Sequence, residues 1–343
     1  MISSPVISRL GALIATAALV AWSAPASAAE EILTPTDPSL RELSGIAANP
    51  SSDGFWVHQD AGKPSELTLI AGDGSVAGRV LPTGAGWEDA EDIGIGPLAA
   101  APVGALYVAD VGDASAVRSA AGEESRKEFL IARGRIPADP SVAATPEPFQ
   151  GLRFRYPDGE NRNSEAMIVD PATGDCWIVN KTVEGRPAEV WFLSEKGFGA
   201  AGVVAEKAGD VPVTGVSGGA SDPFGRFVVL RDAATAYLYP VPQGGIGAAL
   251  AGDPVTVALP DQPQGEGITV TRAGDALVVN SEGVGQPFWR VPLPPDFLAT
   301  LPAPPVDSPA AEGTRSPLPV VLGLLLGAAG VVILIYGIRN RAE

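Results

Sequence analysis

The sequence predicts an all-β fold, a single β-propeller with five blades favoured over six. Three observations carry that reading. Gly and Pro make up 41 and 33 of the 343 residues, too many for helices, where both are unfavourable. Short apolar, β-branched and aromatic runs alternate with these breakers, as strands alternate with turns. A turn-then-strand signature also recurs five times, ending in Phe55-Trp-Val, Leu106-Tyr-Val, Trp177-Ile-Val, Phe227-Val-Val and Leu277-Val-Val. Its glycines, at 54, 104, 174, 225 and 274, lie 50, 70, 51 and 49 residues apart. A period near fifty made only of strand and turn fits a blade of four strands; a β-sandwich with coincidental spacing is the competing architecture.

Each turn glycine is expected at positive φ, with Asp or Pro starting the turn. Ahead of each turn lies an inner strand: 44–47, 90–93, 164–167, 217–220 and 265–268. Third strands follow at 66–70, 189–192, 236–239 and 288–291, and fourth strands at 152–156 and 254–259. The 70-residue interval is explained by a polar insertion, Asp113 to Lys127. The last blade lacks an outer strand, which Glu31 to Pro35 is expected to supply, removing a free edge.

Two apolar segments flank this unit. Residues 1–28 carry one charge, Arg9, an apolar run from Leu10 to Trp22 and Ala26-Ser-Ala28, the pattern of a signal peptide. The run Leu318 to Ile338 is uncharged; at about 1.5 Å per residue it spans ~32 Å as a helix, enough for the hydrocarbon layer. Arg339 and Arg341 follow, which places the tail in the cytoplasm. The expected order is signal peptide 1–28, propeller 29–292, Pro/Ala/Ser-rich stalk 293–317, transmembrane helix 318–338 and cytoplasmic tail 339–343. The propeller is then extracytoplasmic at a cell membrane.

Composition also excludes. The net charge of −17 argues against nucleic acid, which needs a basic face, and favours cations. Cys176 is the only cysteine and His58 the only histidine, so an internal disulfide, a cysteine zinc site and a two-histidine mechanism are ruled out. Cys176, beside Trp177, reads as a core thiol.

Aligning the inner strands puts Glu91, Glu165 and Glu266 at one position, with Gly45 and Gly218 in the other two. No basic residue shares that register. Three carboxylates at one level of a narrow channel cannot all ionise uncompensated. They are the candidate ligands for a divalent cation, Ca²⁺ being suited to oxygen donors; a hydrated structural ring is the alternative. The second strands return to the same end, so Asp60, Asp110, Asp113, Lys181, Arg231 and Glu282 join Glu88 and Asp89 as candidates for a ligand-binding mouth. Gly215-Val-Ser-Gly-Gly219 matches a nucleophile elbow, but a hairpin follows it and His58 lies upstream, against the required order. Asn180-Lys-Thr182 is read as a chance match to a glycosylation acceptor.

Leu43-Ser-Gly45, Trp87-Glu-Asp-Ala-Glu-Asp-Ile93, Asp110-Val-Gly-Asp113, Ser164-Glu-Ala166, Gly225-Arg226 with Leu230-Arg231, and Gln264-Gly-Glu266 resemble exported actinobacterial β-propeller proteins of uncharacterised function. More distantly they are similar to phytase-like and gluconolactonase-like propellers. The resemblance covers about residues 38–292; it implies the fold, and the distant relatives imply a metal in the channel. Ala114 stands where Asn is usual, and Gly219-Ala220 where an acid often stands, which weighs against a carried-over catalytic role. The expected function is binding of an extracytoplasmic ligand or protein at the acidic mouth, with Ca²⁺ and no organic cofactor. The alternatives are a metal-assisted hydrolase of a phosphoester or lactone and a structural envelope protein.

Overall fold

The computed structural model describes residues 29–305 apart from 61–64, 100, 102, 114–118, 121, 123 and 184. The expected signal peptide, the later stalk, the apolar segment 318–338 and the tail lie outside the described residues. Among the described residues no helix is long and apolar enough to cross a membrane.

Short strands separated by turns make antiparallel meanders. Strand β1 (Glu30–Leu33) precedes the first, formed by β2 (Leu43–Ala48), β3 (Phe55–Gln59), β4 (Leu67–Ile70) and β5 (Val76–Thr83). The second comprises β6 (Ala90–Gly96), β7 (Ala105–Asp110), β8 (Phe129–Arg135) and β9 (Thr145–Arg155). The third runs through β10 (Ser164–Val169), β11 (Cys176–Asn180) and β12 (Ala188–Leu193), then past the two-residue β13 (Val203–Val204) to β14 (Glu206–Val211). Next come β15 (Gly218–Ser221), β16 (Phe227–Arg231), β17 (Thr235–Pro240) and β18 (Val255–Ala258), and finally β19 (Gly265–Val270), β20 (Ala276–Ser281) and β21 (Phe288–Pro292).

The N-terminus completes the last sheet. β1 pairs antiparallel with β21, Glu31 opposite Trp289 and Leu33 opposite Phe288, one residue earlier than the expected start. The outer strands β5 and β9 pair in parallel, from Val80 opposite Thr145 to Thr83 opposite Pro148, so the first two meanders share one sheet. The prolines in this pairing sit on outer strands, where a missing N–H is tolerated.

The strands β2, β6, β10, β15 and β19 each pack against the next, and β19 returns to β2. Apolar clusters fill the spaces between successive sheets: Trp56 and Leu67 against Val108 and Leu130, for example, and Tyr107 and Phe129 against Ile178 and Trp191. β7, β10 and β20 are buried at every residue because a sheet covers each face, so their apolar residues run on without alternation, and their polar ones, Asp110, Ser164, Glu165, Asn280 and Ser281, stand at one end of each strand. The outer β9 alternates instead. This ring of meanders is a β-propeller.

Two details differ from expectation. Gly104, Gly174, Gly225 and Gly274 have φ of 97°, 80°, 69° and 66°, whereas Gly54 does not adopt positive φ. A Cβ there would stand 2.5 Å from the Ile70 carbonyl oxygen, so close approach demands that glycine. Second, a short helix at Pro295–Thr300 lies inside the segment read as stalk, and its Phe297 packs edge-on against Phe227, centroids 5.4 Å apart. Its proline-rich surroundings hide this contact in the sequence.

Candidate functional site

The inner strands are irregular where they begin. Pairing shifts register between Ala90 and Asp92, between Ser164 and Ala166, between Gly265 and Ile268, and between Leu43 and Ile46. The first three bulges contain Glu91, Glu165 and Glu266. A bulge lifts a residue out of the ladder and re-aims its side chain, which gives each carboxyl an outlet toward the channel. β15 keeps regular pairing, Gly218 opposite Arg231, and bears no acid there. Gly45 and Gly218 have no room for one: added Cβ atoms would stand 2.6 Å from Ile93 N and 2.7 Å from Glu266 O.

The three glutamates meet at one end of the channel. Burial pushes the Glu91 carboxyl well above the usual range, reinforced by Glu165, Asp60, Asp89 and Glu266. Burial also raises Glu165, against the opposing pull of Lys181 and Asn163, and raises Glu266 to about 7. Compensation comes from outside the inner-strand register. Lys181, just beyond β11, donates from Nζ to Glu165 Oε2 at 3.1 Å, and Asn163 Nδ2 donates to Oε1 at 2.7 Å. Burial pulls the Lys181 ammonium down, but Glu165, Glu266 and Glu91 outweigh it and hold the group above its ordinary value. Gln264 Nε2 donates to both Glu266 (3.1 Å) and Glu282 (2.7 Å).

The remaining mouth candidates divide. Asp60, Asp89 and Glu91 form a second grouping, with one carboxylate oxygen from each within 4.8 Å of the others. Asp110 is a framework group: Arg126 makes a bidentate pair with it at 2.8 and 2.9 Å, and it accepts the N–H groups of Glu88 and Asp89. Asp113 Oδ2 accepts from Arg126 N and Asn161 Nδ2, so this acid anchors the inserted loop. Glu88 itself points to solvent. Arg231 is fully buried and donates to the carbonyls of Asp232, Ala233 and Gly267 and to Gln262 Oε1. Burial lowers it to about 10, so it is a cationic tie between two sheets rather than a mouth group. Ser217 Oγ donates to the carbonyls of Gly265 and Glu266, and Cys176 is buried.

The sequence places His58 among the strand ends at the mouth without assigning it a task, and it gives no role to Asp92. Asp92 is fully buried; its carboxylate accepts the N–H groups of Ile93 (2.8 Å), Met167 (2.9 Å) and Gly219 (3.0 Å), tying three meanders across the channel. The only signal for it was its place after Glu91 in the acidic motif. His58 Nε2 accepts the Gly45 N–H at 3.0 Å, which leaves Nδ1 to donate to the Gln59 carbonyl at 3.1 Å. Burial lowers its basicity, and the neutral ring supports the bulge in β2.

No family model matches the chain, and no curated protein matches it. Among solved structures it is similar to a gluconolactonase of Xanthomonas campestris, with 13% identity, 79% of this chain and 99% of that one covered, and a TM-score of 0.43. A glutaminyl cyclase of Myxococcus xanthus gives 11% identity, 77% and 95% coverage and a TM-score of 0.41. The nidogen–laminin complex gives 11% identity, 71% and 73% coverage and a TM-score of 0.41. These distant likenesses say nothing of the side chains at the mouth.

Proposed function

We propose that this chain is a five-bladed propeller, anchored outside the cytoplasm by its C-terminal apolar segment, that binds a ligand at the acidic mouth of its channel, with a divalent cation as part of that site. The observation that supports this most is the meeting of Glu91, Glu165 and Glu266, from three sheets, beside the Lys181 ammonium. Buried like charges cost folding free energy, and perturbed carboxyls gathered at the mouth of a channel make it a candidate site. A second reading, a metal-assisted hydrolase of a lactone or phosphoester, draws on Glu266: a carboxyl near pKa 7 both gives and takes protons at neutral pH.

The test uses the full-length chain in detergent. Thermal melts are run with CaCl₂, MgCl₂, spermidine and gluconolactone, and turnover of gluconolactone and p-nitrophenyl phosphate is followed with and without chelator. A mouth ligand at a hundredfold excess over Kd stabilises by about 2.7 kcal/mol, a shift that Glu165→Gln should diminish. Melts unmoved by every compound would overturn the binding reading. Turnover abolished by Glu266→Gln would establish the hydrolase in its place. A reporter fused after Glu343 should be active only inside the cell.

A further inference from the structure

The inner strands draw together at the waist of the channel. Asp92 reaches from β6 to the N–H groups of Met167 on β10 and Gly219 on β15. Gly218 lies against the Glu266 carbonyl and Gly267 against the Ser44 carbonyl, where added Cβ atoms would stand at 2.7 and 2.5 Å. Beyond this waist, at the end opposite the glutamates, is a cavity of about 320 Å³. Its wall takes a residue from every inner strand, Ala47, Ile95, Val169, Ala220 and Thr269, and none of Glu91, Glu165 and Glu266. Such a volume lies at the small end of the range for ligand pockets, which are mostly apolar with a few polar groups that fix orientation.

Two polar groups of this wall, Thr269 and Arg272, keep uncommitted hydrogen-bond donors. Thr269 is 7% exposed; its Oγ1 accepts the Ala48 N–H at 3.2 Å, and among the described residues nothing accepts its own proton. Arg272 donates from Nη2 to Asp53 Oδ1 at 3.0 Å, one of the five N–H groups a guanidinium offers. Asp53 is 90% exposed, so water can replace Arg272 there with little loss. Asp222, the acid in the wall, is already satisfied: Arg226 donates to both of its oxygens at 2.8 Å. An anion entering the cavity therefore meets free donors and no uncompensated carboxylate.

We propose that this cavity binds a small organic monoanion, a carboxylate on a compact apolar body, with the apolar body against Ile95 and Val169 and the carboxylate on Arg272. The planar fork of a guanidinium matches a carboxylate bidentately, and the Thr269 hydroxyl supplies a further donor in the wall. The apolar strand residues leave a sugar or another polyhydroxylated body without partners for its hydroxyls. This site goes beyond the reading of the mouth and stands whether or not the mouth binds anything.

The full-length chain in lipid nanodiscs, with empty nanodiscs as the blank, is titrated calorimetrically with phenylpropanoate and with the neutral phenylpropanol. One carboxylate per chain is expected, bound more tightly than the alcohol. Arg272→Met should weaken the carboxylate about tenfold and leave the alcohol within about twofold. Asp53→Asn, a change on a residue already in solvent, should tighten the carboxylate by up to about fivefold, because the guanidinium loses a competitor. Glu165→Gln, at the mouth, should change neither. Absence of carboxylate binding, or binding that Arg272→Met leaves unchanged, would overturn the proposal. An alcohol bound as tightly as the carboxylate would overturn it too. Binding lost in Glu165→Gln and kept in Arg272→Met would place the carboxylate at the mouth, overturning this site while the mouth remains a binding site.

Discussion

The two ends of the channel are made by the same five strands and share almost no chemistry. Where the strands begin, bulges turn Glu91, Glu165 and Glu266 toward one another. Where they finish, pairing is regular, and Ala47, Ile95, Met167, Val169 and Ala220 line an apolar cavity of about 320 Å³. Charge at that far end is confined to ion pairs that tie neighbouring sheets. Arg226 holds Asp222 at 2.8 Å and donates to the Gly274 carbonyl, and Arg272 reaches Asp53 at 3.0 Å. A regular strand covered on both faces leaves a charged side chain nowhere to go, whereas a bulge gives it a direction. The repeat thus determines the ring, and its local irregularities determine which end can do chemistry.

Asp92 stands between the ends, and removing it should have the largest effect. Three buried N–H groups converge on its carboxylate; burial raises its pKa well above the ordinary value against their pull. Asp92→Ala leaves all three unsatisfied and should cost about 3–5 kcal/mol in denaturant unfolding. Asp92→Asn should not rescue it, since its amide would aim a donor at donors. An Asn variant as stable as wild type would mean that a neutral group suffices and that Asp92 does not tie the ring by its charge.

The second effect separates the ends by pH. Glu266 titrates at about 7 instead of 4.5, so the folded state keeps a proton that the unfolded chain releases. Stability should fall as pH rises from 4.5 to about 7 and then level off; a shift of this size corresponds to roughly 3 kcal/mol. In chelator, Glu266→Gln should match wild type near pH 4 and exceed its stability at pH 8. Parallel stability–pH curves for the two proteins would contradict it. Met167→Leu, in the cavity at the other end, should leave the curve's shape unchanged.

The ring was legible in the sequence because it depends on spacing: the turn signatures, the inner and third strands and the closing N-terminal strand all follow from a period near fifty. The glutamate register was legible for the same reason. What sequence could not give was depth and direction. Arg231 and Lys181 both end second strands, yet one is sealed between sheets and the other reaches the carboxylates; nothing local distinguishes them. Asp110 and Asp113 resemble mouth acids until Arg126, donated by the insertion, occupies both. The grouping of Asp60 with Asp89 joins two meanders at a bulge, and a bulge has no signature in a five-residue motif.

The smallest effect compares one ion pair from each end. Lys181–Glu165 is 3.1 Å long with side chains 40% and 10% exposed, while Arg272–Asp53 is 3.0 Å long with 35% and 90%. Their lengths differ by only about 0.1 Å, so distance does not rank them; the carboxylate's surroundings do. Asp53 is already solvated and loses little with its partner, so Arg272→Met should change stability by no more than a few tenths of a kcal/mol. Glu165 is shielded and keeps only Asn163 as a donor, so Lys181→Met should cost about 1 kcal/mol, the upper end for a pair still partly open to water. The cost at the mouth should shrink as pH falls, because burial raises the Glu165 carboxyl and its uptake of a proton ends the ion pair, and the other should stay near zero throughout. Unfolding of both variants at pH 4.5 and 8 checks this. Equal costs at pH 8 would mean that water screens the mouth as fully as the exterior, and that the carboxylates there are no drier than any surface acid.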